Sequence, residues 1–381
     1  MKARYIMDNK FFPEIKKNFG FGCMRLPMVN DEVDTVEFTK MVDTFIENGF
    51  NYFDTAHGYL QGKSERAIKE CLTSRYPRDK YLLVNKLSGG FFKSEEDIRP
   101  LVDSQLEACG VEYFDFFLMH AQEKTLYEKY KKCRAYEIAF ELKREGKVRH
   151  VGLSFHDTAD VLDTILTDYP ELEIVQIQFN YADFEDASVQ SKLCLEVCQK
   201  HNKPVVVMEP VKGGSLVNLP DKAKTILDEL NGGSYASYAI RFAASFDNII
   251  MVLSGMGNMD MMNDNIGYMK DFKPLNDKEM DAIAKVCEIF RSQNLIPCTA
   301  CRYCVDGCPM SIQIPDLFAC LNAKKAWNNW NTDYYYGIHT KTNGKAGDCI
   351  ECGQCEDVCP QHLNIRELLK DVSAEFDKKK K

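Results

Sequence analysis

Between residues 19 and 273 the sequence repeats one unit eight times, a short apolar run followed by a longer amphipathic stretch. The runs are GFGCMRLP (20–27), NYFD (51–54), YLLVNK (81–86), FDFFLMH ending at His120, VRHVGLS (148–154), EIVQIQ (173–178), KPVVVM (203–208) and NIIMVL (248–253). Runs this short and this apolar read as strands buried on both faces. The stretches between them read as helices. EFTKMVDTFIENG sets Phe38, Val42, Phe45 and Ile46 on one stripe and stops at Gly49, a C-cap residue. SERAIKECL opens on Ser64, which reads as an N-cap, and Pro100 predicts a helix start close to it. Strand alternating with helix implies parallel pairing through right-handed crossovers. Eight units in about 255 residues fit a closed α/β (β/α)8 TIM barrel. The rival, a doubly wound open sheet, calls for a G-x-G-x-x-G turn after an early strand, and this chain has none there. The expected organisation is a barrel over 1–275, a connecting helix over 276–297 that ends at Pro297, and a cysteine-rich module over 298–381.

Composition narrows the function classes. The chain has 381 residues, of which 45% are hydrophobic, enough for a large core and a small companion domain. A formal net charge of -9 speaks against nucleic acid as a partner. No 18 apolar residues run together, so no membrane partner is expected. The opening MKARYIMDNKFFPE has no apolar stretch of signal-peptide type, and the expected location is cytoplasmic. Sixteen cysteines in such a chain argue against a disulfide framework. Eight fall in two short runs; Cys23, Cys71, Cys109, Cys133, Cys194, Cys198, Cys287 and Cys320 read as small buried hydrophobes.

A barrel of this kind does its chemistry at the C-terminal ends of its strands. Asp54 ends NYFD, Tyr59 follows five residues later, Lys86 ends YLLVNK and His120 ends FDFFLMH. Any one of these alone reads as a loop cap. Together, on consecutive strands, they suit carbonyl reduction. A tyrosine hydroxyl can donate to a developing alkoxide, and a neighbouring ammonium is expected to draw its pKa down from about 10. Asp54 would pair with Lys86, and His120 would orient the carbonyl oxygen. The hydride must come from a cofactor, since no side chain supplies one. His57 reads as a loop-ordering residue.

These pieces resemble the aldo-keto reductase family: FGFGCMRLP, FDTAHGY-x4-SE, the Lys86 and LMH strand ends, VGLS, VQIQFN and a late DN pair, over about residues 15–270. The resemblance implies an enzyme that interconverts a small-molecule carbonyl and alcohol by hydride transfer, with Asp54, Tyr59, Lys86 and His120 as its tetrad and Tyr59 as general acid and base. It implies NADPH or NADH lying across the barrel mouth. Carboxamide contacts would fall on Ser154 and Gln176. Met208 stands where many members have a stacking aromatic, and Glu209, Lys212 and Gly213 follow on the cofactor-side loop. Backbone at Gly255, Met256 and Gly257 would cradle phosphate, and Asn265 matches an adenine-contacting asparagine. Met261 stands about where members often carry an arginine for a 2′-phosphate. The family leans to NADPH and the missing arginine leans away from it.

CTACRYCVDGCP (298–309) and CIECGQCEDVCP (349–360) share the spacing C-x2-C-x2-C-x3-C-P. Structural zinc commonly uses separated CxxC pairs, whereas three cysteines at three-residue intervals followed by a fourth and a proline are the bacterial ferredoxin signature for [4Fe–4S] clusters. The module therefore resembles a ferredoxin-like dicluster domain. That resemblance implies two [4Fe–4S] clusters with crossed fourth ligands: Cys298, Cys301, Cys304 and Cys359 for one, Cys349, Cys352, Cys355 and Cys308 for the other. Its core is expected to be largely the clusters themselves. IPDLFACLNAKKAWNNW between the runs reads as a helix, NTDYYYGIHTKTNGKAG as an aromatic-rich loop, and KDVSAEFDKKKK as a helical tail frayed at its tip.

One-electron clusters beside a two-electron site leave the cluster role open between structure or redox sensing, electron relay to a redox protein partner, and a further reaction. A flavin would link them, but no motif indicates one. The alternative function is a ferredoxin-linked electron-transfer protein using a flavin or a protein partner, its barrel not acting as a simple carbonyl reductase.

Overall fold

The computed structural model describes residues 11–185, 189–293, 295–327, 333, 336–337 and 339–377. The extreme N-terminal residues of the opening segment, part of the aromatic-rich loop and the last four lysines lie outside them. Contacts within the chain divide it into two units. The first runs to Glu185 and takes Gln190–Val211 and Gly233–Met280; the second takes Lys212–Gly232 and the chain from Asp281 onward.

Eight parallel strands close the first unit into a barrel: β1 (Phe19–Gly22), β2 (Tyr52–Asp54), β3 (Leu82–Leu87), β4 (Phe114–Gln122), β5 (Val148–Phe155), β6 (Ile174–Gln178), β7 (Val205–Met208) and β8 (Ile249–Ser254). β1 pairs with both β2 and β8, which seals the sheet. The apolar runs found in the sequence are these strands. β1 is shorter than GFGCMRLP, because the chain turns out of the sheet after Gly22. A small antiparallel hairpin, Met28–Val29 with Glu32–Val33, follows it. Where β5 meets β6, a Cβ on Gly152 would stand 2.3 Å from the Ile174 carbonyl oxygen, so only glycine lets those strands approach.

The barrel interior is packed. Tyr52, Leu82, Val84, Phe116, Leu118, Ile174, Val206, Met251 and Leu253 fill its lower part, and Phe12 and Ile15 of the leading segment join that cluster. Asn51 ties the segment down, donating to the Glu14 carbonyl at 2.9 Å and accepting from Lys16 N at 3.1 Å. Helix Thr35–Glu47 buries Phe38, Met41, Val42 and Phe45 and is capped by Asp34, and Pro100 sits in the first turn of Ile98–Cys109. Ser64 is not an N-cap: helix Lys63–Ile68 starts after Gly62, in a left-handed conformation. The Ser64 hydroxyl instead donates to the Cys23 carbonyl at 2.8 Å and meets the Thr55 hydroxyl at 2.7 Å. The scattered cysteines are all buried.

The module after Pro297 is an internal duplication. Short helices Tyr303–Asp306 and Gln354–Asp357 carry Cys304 and Cys355, and longer helices Ile314–Trp327 and Ile365–Phe376 each begin six residues after a run's fourth cysteine. Contrary to expectation, this unit has an apolar core of its own. Ile312, Ile314, Leu317, Phe318, Leu321, Ile365, Leu369 and Val372 pack together, and Cys298, Cys308, Cys349 and Cys359 lie against them. Helix Ile365–Phe376 is amphipathic, and helix Ile314–Trp327 adds buried Leu317, Phe318 and Leu321, apolar area that the cysteine spacing alone does not advertise. Among the described residues, no helix is long and apolar enough to cross a membrane.

Candidate active site and cysteine sites

β2, β3 and β4 lie side by side, so the ends of their chains bring Asp54, Lys86 and His120 together, and the turn Tyr59–Gly62 after β2 adds Tyr59. Lys86 is fully buried. Its ammonium donates to Asp54 Oδ1 at 2.6 Å, to the Thr55 carbonyl at 2.8 Å and to Tyr59 Oη at 3.3 Å, which uses all three of its protons. Gln176 Nε2 reaches the other Asp54 oxygen at 3.3 Å. The Tyr59 and His120 rings meet edge to face at 5.9 Å.

The electrostatics differ from the sequence expectation in one respect. Tyr59 is held well above the usual tyrosine value by burial, with Asp54 and then Glu209 adding to it. The neighbouring ammonium does not outweigh burial and Asp54. Burial also raises Asp54 despite Lys86. His120 is pushed well below the ordinary histidine range by burial, and Lys86 and His156 add to this. At neutral pH the site therefore holds a protonated phenol and a neutral imidazole.

Sequence reading missed Ser88, whose Oγ lies 2.6 Å from His120 Nδ1. Its signal is position: two residues beyond Lys86, it continues the inward face of β3. It missed Glu65 as well. Glu65 is 1% exposed and binds His57 Nδ1 at 2.9 Å and Asn85 Nδ2 at 2.8 Å. This pairing gives His57 the loop-ordering place expected of it. Cys23, at the end of β1, is buried and its thiol is raised by burial and Asp54.

The other candidates spread around the strand ends. Ser154 Oγ accepts from Ala121 N at 2.8 Å, tying β5 to the end of β4. Met208 ends β7 half-buried, and Glu209 follows at φ 57° and pairs with Arg25 at 3.6 Å. Gly255 is exposed, Met256 is buried and Gly257 N points at Met261 Sδ, 3.5 Å away. Asn265 is buried with both ends of its amide engaged, donating to Ser254 Oγ at 3.1 Å and accepting from the Tyr268 hydroxyl. Lys212 and Gly213 form a turn in the second unit, where the Lys212 charge acts on Cys298.

The two cysteine runs adopt matching backbones. Ala300 and Glu351, Arg302 and Gly353, and Ser311 and His362 occupy equivalent places, and all six have positive φ. Five are not glycine, so a strained conformation is repeated at the same points in both loops. Cys304 is raised to about 12 by burial and then by Cys301, Cys298 and Cys359. Cys298 is raised to about 11, again with Cys301 and Cys359 contributing. Cys308 lines one pocket with Cys349, Cys352 and Cys355. Both crossed sets are thus neighbours in space. Ala300 N donates to Cys298 Sγ at 3.4 Å, a bond that favours thiolate, and Ile312 N donates to Cys308 Sγ at 3.5 Å.

Among the described residues, no three His, Cys, Asp or Glu side chains stand close enough to share a single ion. A single ion needs its sulfur donors within about 2.3 Å of one point, whereas a four-iron cube takes one thiolate at each corner and spreads them. The donor set, all thiols and with backbone N–H groups aimed at sulfur, fits the cube.

Residues 18–288 match the aldo/keto reductase family and residues 297–363 match the 4Fe-4S dicluster domain. Among curated proteins the chain is similar to the NADH-specific methylglyoxal reductase of Escherichia coli K12, 27% identical over 195 residues, 46% of this chain and 57% of that one. It is also similar to the uncharacterized oxidoreductase YqkF of Bacillus subtilis 168, 26% identical over 58% of this chain and 68% of that one. Among solved structures, an aldo-keto reductase from Klebsiella pneumoniae in complex with NADPH superposes with TM-score 0.58 at 18% identity, covering 71% of this chain and 90% of that one. The holo form of a Bacillus halodurans aldo-keto reductase gives 0.57 at 22% identity, covering 71% and 92%. The chain belongs to the aldo/keto reductase family, its barrel joined to a C-terminal domain of the 4Fe-4S dicluster type.

Proposed function

We propose that the barrel interconverts a small carbonyl compound and its alcohol, with Tyr59 as the proton donor in reduction. The observation that carries this is the ammonium of Lys86, shared between Asp54 and Tyr59 Oη. Reduced nicotinamide, NADH or NADPH, supplies the hydride that no side chain can. Tyr59 gives its Oη proton to the carbonyl oxygen, and its raised pKa keeps that proton in place until it is needed. Lys86 Nζ stabilises the phenolate left behind, and Asp54 holds the ammonium in position. His120 is neutral. With Nδ1 accepting from the Ser88 hydroxyl, Nε2–H is left to donate to the same carbonyl oxygen. In the alcohol-to-carbonyl direction the roles reverse and Tyr59 is the base. The Escherichia coli relative's name makes methylglyoxal a sensible first substrate to try.

The crossed cysteine sets would each hold a [4Fe–4S] cluster, Cys298, Cys301, Cys304 and Cys359 in one case and Cys349, Cys352, Cys355 and Cys308 in the other. Such clusters supply one-electron exchange. The apolar core of the second unit favours an electron-exchange role with a redox protein over a purely structural one, since that core already organises the module.

The test is label transfer. Anaerobically purified protein is incubated with methylglyoxal and reduced nicotinamide deuterated at C4, and the alcohol product is analysed by mass spectrometry. Deuterium at the carbinol carbon is expected. Reduction that takes its hydrogen from solvent instead would contradict hydride transfer.

A further inference from the structure

NADH and NADPH differ by one phosphate on the adenosine ribose. In (β/α)8 barrels, phosphate sites gather on the loops after strands seven and eight and at the N-terminus of a following helix. Exposed N–H groups and the helix dipole favour an anion there. In this chain the helix after β8 is Met259–Met269, and its first turn is already taken by the protein's own groups. Asn258 Oδ1 accepts from Met261 N at 2.9 Å. Glu37, from the helix after β1, places its carboxylate Oε1 3.1 Å from Met259 N. Its other oxygen lies 4.0 Å from the exposed Lys40 ammonium.

The helix start itself is acidic. Asp260 adds a carboxylate in the first turn, and Asp264 follows one turn on, bound by the Ser234 hydroxyl at 2.6 Å. From Ser254 to Met269 there is neither Lys nor Arg. Arg25, which packs beside Gly255, is paired with Glu209 at 3.6 Å. A phosphate dianion arriving here meets a carboxylate on the amide it would use, and no basic residue on the helix.

From this geometry we infer that Glu37 is a specificity-determining residue that turns away the 2′-phosphate, so that the barrel selects NADH over NADPH. This rests on the nicotinamide reading given above. Glu37 belongs to neither the strand ends nor the cysteine runs. It acts across 222 positions of sequence, from the far side of the β8 loop. Like charges brought together at a binding site oppose association strongly.

The test is isothermal titration of the holoprotein, under anaerobic conditions, with NADH, NADPH, 5′-AMP and 2′-AMP, using wild type, Glu37→Gln and Met261→Arg. Gln keeps the acceptor for Met259 N and removes the charge. Arg at the exposed Met261 adds a cation without touching Glu37. Wild type is expected to bind NADH at least about tenfold more tightly than NADPH, a difference of about 1.4 kcal/mol. Each variant is expected to close that gap about tenfold and to tighten 2′-AMP more than 5′-AMP. Equal or reversed preference in the wild type, or a ratio unmoved in both variants, overturns the inference while leaving the nicotinamide reading intact. Failure of every nucleotide to bind overturns both.

Discussion

Lys86 and Asp54 form an ion pair of 2.6 Å inside the barrel, with neither side chain open to solvent. A buried pair of this kind is weak evidence for stability, since desolvation consumes most of the attraction. Its value lies in what it positions. Asp54 fixes the ammonium, and the ammonium's third hydrogen bond goes to Tyr59.

Breaking the pair has a pH signature. Lys86→Met leaves the Asp54 carboxylate buried without its cation, which costs about 3–5 kcal/mol at neutral pH. Asp54 already sits above the usual aspartate value, and loss of Lys86 raises it further. A folded state that holds a proton more tightly than the unfolded one gains stability as pH falls. The deficit of Lys86→Met should therefore shrink between pH 7.5 and 5. Denaturant midpoints for both proteins measure it, and a deficit independent of pH would count against a buried ionised Asp54.

Ser88 should prove a positioning residue for His120. Ser88→Ala removes the partner of Nδ1 and frees the imidazole to change tautomer. Carbonyl reduction should fall about tenfold or more, and Ser88→Thr should restore much of it. Nitrogen-15 shifts of the His120 ring report the tautomer directly; a ring unchanged in Ser88→Ala would contradict this role.

How much of this was legible in the sequence follows from range. Strand positions come from local apolar runs, and the strand-end polar residues follow from them, so the barrel and the places of Asp54, Lys86 and His120 could be read off directly. The Ser88 contact with His120 spans 32 positions, and the Glu37 contact with Met259 spans 222. Neither has a local pattern. Ser64 looked like a cap because serine before an apolar stripe usually is one, but Gly62 takes the left-handed turn and Ser64 serves Cys23 and Thr55 instead. The raised value of Tyr59 is not legible locally, because it comes first from burial, which only the folded barrel supplies.

Histidine burial sets the acid limit of the fold. His120 is held well below its ordinary value and His156 is lowered to about 4, both by burial. Below about pH 6.5 the unfolded chain takes up protons at these residues while the folded one does not, so stability falls as pH drops through that window. Melting temperatures at pH 7.5, 6.5 and 5.5 should decline progressively. His156→Gln should flatten the decline, and a slope unaltered by that change would assign it to other groups.

Crossed ligation predicts which centre each cysteine serves. Cys359→Ser should perturb the centre of Cys298, Cys301 and Cys304, and Cys308→Ser the centre of Cys349, Cys352 and Cys355. Iron should fall from about eight per chain towards about four in each variant. The double variants Cys359→Ser with Cys298→Ser, and Cys359→Ser with Cys349→Ser, separate the patterns: the first should lose one centre and the second both. Loss of both centres in the first pair, or of one in the second, would refute the crossing.

Anaerobic turnover of methylglyoxal with NADH, wild type against Tyr59→Phe, tests Tyr59 as the proton donor. The phenol proposed as proton donor lies 3.3 Å from Lys86 Nζ. A fall in kcat of about 10²–10⁴ is expected, with NADH still bound in a titration. Turnover by Tyr59→Phe at the wild-type rate would contradict it.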